Sequence, residues 1–228
     1  MTQEQIDKLV SDTYNFDEEC LPILDGIIDE SKYLSGIPKI LWILKEPYDK
    51  GDGFGGSNSR DDIKNNLASY FKIPTWKRIA YSSYGIINGM TYEKVKERTQ
   101  IHEILNSIAY INVSKFPANT TSGNRWKYFE NIFEKCEFVL LEQIKSYNPE
   151  VIIIGNITYL FLPAFDLTWE DKVLLPLMKK FYFLKPDKLI IDAYHPGVRE
   201  KDISEADYCN AIISTAQDWL NNRKRVNV

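Results

Sequence analysis

Four short runs constrain this chain more than any other feature, because each is predominantly apolar, too short for a surface helix, and followed at once by polar residues. They are Ile40 to Leu44, leading into Lys45-Glu46-Pro47-Tyr48-Asp49; Ile108 to Val113, leading into Ser114-Lys115; Val151 to Ile154, leading into Gly155-Asn156; and Lys188 to Ile191, leading into Asp192-Ala193-Tyr194-His195. A strand apolar at every position is buried on both faces, the condition of a central strand in a parallel sheet. Helical patterns fill the intervals, so the order predicts an α/β chain: a three-layer α/β/α sandwich around a mostly parallel four-stranded sheet, in one domain over residues 1–228. Open sheets of this kind bind ligands beyond the carboxyl ends of their strands, so the polar tails are expected to converge on one site.

The intervals read as follows. Residues Thr2 to Asp29 suggest one or two helices, and Asp61 to Asn106 suggests helices interrupted at Pro74 and around Asn88-Gly89. Between them Asp49 to Arg60, with Gly51, Gly53, Gly55 and Gly56, forms a long loop of the sort that carries function. Ser114 to Asn124 is a second polar loop. Arg125 to Tyr147 predicts a long amphipathic helix with Ile132, Phe138, Leu141 and Ile144 on its apolar face, stopped by Asn148-Pro149. Asn156 to Phe165 is helical or irregular, and a helix from Ser204 to Leu220 closes the chain.

Composition excludes several classes. A chain of 228 residues with 44% hydrophobic and 26% charged content can bury one sizeable core and has neither a disordered nor a fibrous signature. No apolar run approaches the roughly 18 residues of a membrane span, and the polar opening MTQEQIDKLV lacks a secretory core, so a cytoplasmic protein with no membrane partner is expected. Cys20, Cys136 and Cys209 form no C-x-x-C pair, which indicates buried thiols and neither a metal nor a cofactor. The net charge of -4 argues against non-specific coating of nucleic acid. Local basic faces remain at Trp76-Lys77-Arg78, Lys115, Arg125-Trp126-Lys127-Tyr128, Arg199 and Arg223-Lys224-Arg225; each reads either as phosphate contact with stacking or as a solvated charged face. A monomer is expected.

The tails then carry a resemblance. Leu44-Lys45-Glu46-Pro47-Tyr48-Asp49 is similar to the motif G-Q-D-P-Y-H or G-E-A-P-G that ends the first strand of the uracil-DNA glycosylase superfamily, and His195-Pro196-Gly197 to the H-P-S after its last strand. The run Ile111 to Pro117, followed by Gly123-Asn124-Arg125, resembles the N-V-x-K-C-x-P-x-x-N-R of that superfamily's iron-sulfur branch. Cys136 to Gly155 resembles the C-x-x-x-L-x-x-Q-I-x-x-x-x-P-x-V-I-x-x-x-G pattern that follows, with its last glycine one residue early. Together they cover roughly Ile40 to Gly197 in order. The resemblance implies an α/β/α fold and cleavage of the N-glycosidic bond of uracil or another damaged base in DNA.

That chemistry has physical requirements. Breaking the bond passes through an oxocarbenium-like sugar, which wants a carboxylate to stabilise charge and activate water, and it releases the base as an anion, which wants a hydrogen-bond donor. The resemblance gives the first role to Glu46 and the second to His195; for His195 a structural hydrogen bond at a strand end is the competing reading. The other histidine, His102, lies in a helical stretch and reads as a surface or packing residue. Asn112 has the donor and acceptor needed to read a pyrimidine edge, or caps the following loop. Tyr48 matches the residue that gates the pocket against thymine, and Asp49 and Asn156 fall beside the same site. Phe54 either stacks on the base or pins its loop. Lys115, Arg125, Gly197, Val198 and Arg199 are the candidate DNA contacts; for the last two, an ordinary turn into the final helix is the alternative.

Departures from the motifs bear on the substrate. Leu44 stands where glycine lets backbone approach ligand, Asp49 replaces a histidine and adds charge beside Glu46, and Gly197 replaces a serine. The cysteines of an iron-sulfur cluster are lacking. Two other classes therefore stay open beside the glycosylase: a non-catalytic nucleotide- or nucleobase-binding module, and a hydrolase of free nucleosides.

Overall fold

The structure, a computed structural model, describes residues 1–16, 20–47, 55–117, 125–199 and 201–226. Tyr48, Asp49 and Phe54 lie outside these residues.

The chain opens with helix α1 (Gln3–Thr13), started by a capping box in which the Thr2 hydroxyl accepts from the Gln5 backbone while the Gln5 side chain accepts from the Thr2 N–H. Ile6, Val10 and Tyr14, four residues apart, form its buried stripe. Strand β1 (Gly26–Ile27) and helix α2 (Glu30–Ser35) follow, then strand β2 (Ile40–Leu44). Helices α3 (Ser59–Asn65), α4 (Leu67–Tyr70), α5 (Pro74–Asn88) and α6 (Tyr92–Lys96) lead through a 3-10 segment (Ile101–Ser107) into strand β3 (Ile108–Asn112). Pro74 sits at the start of α5, where its missing N–H costs nothing, and Gly89 ends that helix at a φ of 63°. Helix α7 (Trp126–Tyr147) stops at Asn148, and strand β4 (Val151–Gly155) precedes three 3-10 turns. The hairpin of β5 (Val173–Leu175) and β6 (Lys180–Leu184), strand β7 (Leu189–Ala193) and helix α8 (Glu205–Val226) complete the order.

The four apolar runs are β2, β3, β4 and β7, and every residue in them is buried. They lie parallel in the order β3-β2-β4-β7 at the centre of the sheet. Alternate residues enter two cores: Ile40, Trp42 and Leu44 pack with α5, α6 and α8 on one face, and Leu41 and Ile43 pack with α1 and α7 on the other. This double burial explains why the runs show no polar alternation. Truncating one such side chain, Ile153→Ala for example, removes packing worth about 2–5 kcal/mol.

Three features correct the sequence reading. Among the described residues the sheet has seven strands, not four, and is mixed rather than mostly parallel, in the order β1-β3-β2-β4-β7-β6-β5, because β1, β6 and β5 extend its edges antiparallel. Edge strands are partly solvated and short, so they lack the continuous apolar signal: β1 has two residues, and β5 exposes Val173 and Leu174. The stretch Thr2 to Asp29 holds one helix and one strand, since Asp25 and Gly26 are drawn into the sheet edge. In α7 Phe138 is exposed; Phe129, Ile132, Phe133, Cys136, Val139, Leu140 and Ile144 supply the buried face. Among the described residues no helix is long and apolar enough to cross a membrane.

Candidate functional site

The chain moves outward from β2 to β3 and then crosses to β4 on the other side of β2, which makes the gap between β2 and β4 the topological switch point. At that gap Leu44, Gly155 and His195 meet. A Cβ built on Gly155 would stand 3.3 Å from His195 Cα and 3.5 Å from Leu44 Cδ2, so this glycine is what lets the His195 turn settle on the sheet end. Asn156 then leaves β4 at a φ of 66°, a conformation asparagine tolerates, with its N–H on Ala193 O at 2.9 Å.

His195 is half-buried and its ring has a defined tautomer. The Gly197 N–H donates to Nδ1 at 3.1 Å, so Nδ1 is the acceptor and Nε2 carries the proton. Burial, with the nearby Lys45 charge, pulls the His195 pKa down to about 4, which keeps the ring neutral at pH 7. The turn is fastened from below. Arg78, buried in α5, donates through Nη1 to Pro196 O at 2.9 Å and also to Val198 O, and it lies 5.3 Å over the Tyr208 ring. The Tyr208 hydroxyl in turn donates to Tyr194 O at 2.9 Å. A side chain at 197 would meet Thr75 Oγ1 at 2.8 Å and His195 Nδ1 at 3.1 Å, which accounts for glycine at this position.

Beyond β2, Glu46 accepts from Arg125 Nη1 at 2.7 Å, and the guanidinium lies 3.9 Å over the Tyr128 ring. Burial raises the Glu46 pKa while Arg125 and Lys45 oppose the shift. Lys45 itself reaches over the aromatic start of α7, its Nζ 5.0 Å from the Trp126 ring centre and 5.9 Å from that of Phe129. Burial and the Lys180 charge lower its pKa against the pull of Glu46. Lys180 is held at 3.3 Å by Asp192, whose other oxygen accepts from Thr158.

A second polar cluster lies one strand away, at the end of β3. Asp25 accepts from the Asn112 backbone at 2.7 Å and its side-chain amide at 3.4 Å, from Lys115 Nζ at 2.6 Å and from Gln143 Nε2 at 3.2 Å. Lys115 also donates to Gln143 Oε1 at 3.0 Å. The cluster is buried throughout.

Glu46 and His195 thus sit beyond strands β2 and β7, which flank β4, and the Lys45 charge acts on both. Asn112 ends the strand beside Leu44, but its side chain is buried with its amide nitrogen turned to Asp25. One expected DNA contact is corrected. Lys115 is buried in an ion pair because β3 carries it under α7, while Arg125 is half-buried and pairs with Glu46. The basic cluster at Arg78 is likewise structural, and Arg223 pairs with Glu150 at 2.7 Å. Gly197 and Arg199 are exposed and Val198 is half-buried. Sequence reasoning gave no site role to Asp25, Lys45 or Gln143, of which Asp25, a lone acid inside the apolar LPILDGII, carried a signal; Arg78 was read as a phosphate contact or a solvated charge and is buried beneath the His195 turn.

Two cavities, of about 300 and 320 Å³, lie away from this cluster, one along α1 by Gln5 and Leu9, the other between Pro38, Ile86 and Leu220. Among the described residues no group of three or more His, Cys, Asp or Glu is placed to hold a metal ion. No protein-family model and no curated protein matches the chain.

Proposed function

We propose that this chain is a divergent relative of the uracil-DNA glycosylases that cleaves an N-glycosidic bond, with Glu46 activating water and His195 stabilising the departing base. The observation that carries this is the tautomer of His195. Its Nδ1 accepts from the Gly197 N–H and its pKa lies at about 4, so at neutral pH the ring offers a single Nε2–H donor at the strand ends. A neutral donor suits an anion that develops only as the bond breaks, because it stabilises charge without first attracting an ionised competitor. Glu46, with a raised pKa, is the stronger base for a water proton. Asn112 is proposed to read the base edge, and Tyr48 and Phe54 are proposed as gate and stacking surface.

The test is direct. A labelled oligonucleotide bearing one uracil should acquire an alkali-labile site on incubation with the protein, and Glu46→Gln should slow this by about 10²–10⁴-fold while the melting temperature holds. No alkali-labile product from uracil or any damaged base would refute the proposal.

One observation favours a second reading, a hydrolase of free nucleosides or nucleotides. With Lys115 and Arg125 committed to carboxylates, Arg199 is the exposed cation left among the residues expected to touch DNA. Release of free base from a nucleoside, with none from the oligonucleotide, identifies this alternative.

A further inference from the structure

Lys45 occupies an unusual place for a charged residue. It follows the central strand β2, next to Glu46, yet Glu46 turns to Arg125, and among the described residues no carboxylate lies within ion-pair distance of the Lys45 amine. The amine instead rests on the Trp126 and Phe129 rings, with a second ammonium, Lys180, close enough to disfavour its charge. It is also near enough to His195 to help hold that ring neutral. A lysine desolvated on aromatic surface and set near another cation is in the condition that makes an amine a nucleophile toward carbonyl carbon.

We propose that Lys45 gives this site a second activity, cleavage of the strand at an abasic deoxyribose through an imine between its Nζ and the sugar aldehyde. The proposal rests on the glycosylase reading for its substrate class, since base removal leaves such a sugar behind. The neutral amine adds to C1′ of the ring-opened sugar; the carbinolamine takes up a proton and loses water, leaving a protonated imine. Glu46 accepts a proton from C2′, and the electron pair of that C–H bond expels the 3′ phosphate as the C3′–O bond breaks. Water then hydrolyses the imine, which frees Lys45 and releases a strand ending in an unsaturated aldehyde. No oxidant or reductant takes part.

The experiment uses the full chain and a labelled single-stranded oligonucleotide carrying a preformed abasic deoxyribose, with and without sodium cyanoborohydride. The expected result is a covalent protein–DNA adduct in the presence of the reductant and a nick leaving a 5′ phosphate in its absence. Both should be lost in Lys45→Met and in Lys45→Arg, with folding of each variant checked by its melting curve. Absence of adduct with the unmodified protein overturns the proposal. So does an adduct that survives in Lys45→Met, which assigns the nucleophile elsewhere, or nicking retained in Lys45→Arg, which shows that charge on a phosphate suffices. Because the abasic site is supplied, these outcomes are independent of base release from the uracil oligonucleotide, whose failure sinks the glycosylase reading alone.

Discussion

Two polar clusters stand at the ends of adjacent parallel strands, and they differ in how their charges are satisfied. Beyond β3, Lys115, Asp25, Gln143 and Asn112 are buried together and bonded to one another. Beyond β2 and β7, Glu46, Lys45 and His195 are half-buried, and among the described residues Lys45 has an aromatic shelf in place of a carboxylate and the His195 Nε2–H has no hydrogen-bond acceptor. The closed cluster joins the sheet edge to α7, and its charged groups are satisfied by one another. The open one keeps groups in states that a ligand would complete. Charged residues at strand ends therefore do not mark a site by type; what separates the two is whether partners already occupy the bonding positions.

Breaking the closed cluster should give the largest effect on folding. Asp25→Ala leaves the Lys115 ammonium buried without its carboxylate and is expected to lower stability by about 3–5 kcal/mol in urea unfolding. Adding Lys115→Met should recover part of that loss, and strict additivity of the two changes would show that they do not act as a pair. In the open cluster His195→Gln should instead fall on rate, about 10²–10³-fold in kcat, consistent with loss of one donor to a developing anion. If it unfolds the protein as Asp25→Ala does, the distinction between the clusters disappears.

Acid sharpens the contrast. The folded pKa of His195 is depressed from 6.5 to about 4, so folding favours its neutral form. Its contribution is fully present above about pH 6.5, falls as the unfolded chain gains a proton the native ring refuses, and is exhausted below about pH 4. The loss across this window is at most about 3 kcal/mol, less to the extent that solvent reaches the half-buried ring. Denaturation at pH 7 and pH 5 should show that slope in the unmodified protein and a shallower one in His195→Gln. The smallest effect is expected for Arg125→Met, which removes a half-exposed ion pair worth about 1 kcal/mol or less. Without the Arg125 charge the Glu46 pKa should rise further, so the acidic limb of the pH–rate profile should move to higher pH.

Much of the centre of the fold was legible. The runs at β2, β3, β4 and β7 announced themselves because a strand covered on both faces is apolar almost throughout, and Pro74, Gly89 and Asn148 marked helix ends through their backbone preferences. The hairpin of β5 and β6 was not legible, since an edge strand with exposed and half-buried residues imitates a loop. The site was legible only in part. Glu46 and His195 stood out through the motif they resemble, while Lys45, inside the same motif, gained meaning only when α7 placed Trp126 and Phe129 beneath it. Lys115 misled because an isolated lysine after a strand looks exposed, and its partner Asp25 lies 90 residues away.

The sequence by itself determined that an α/β sheet with four central parallel strands would form and that their carboxyl ends would gather polar tails, because nearly uninterrupted apolar runs have no stable place except between two layers of helices. Only the tertiary structure decided which charges cancel and which remain available. Ion pairing depends on distances of a few ångströms between residues far apart along the chain, and those distances are set by how α1, α5, α7 and α8 pack against the sheet.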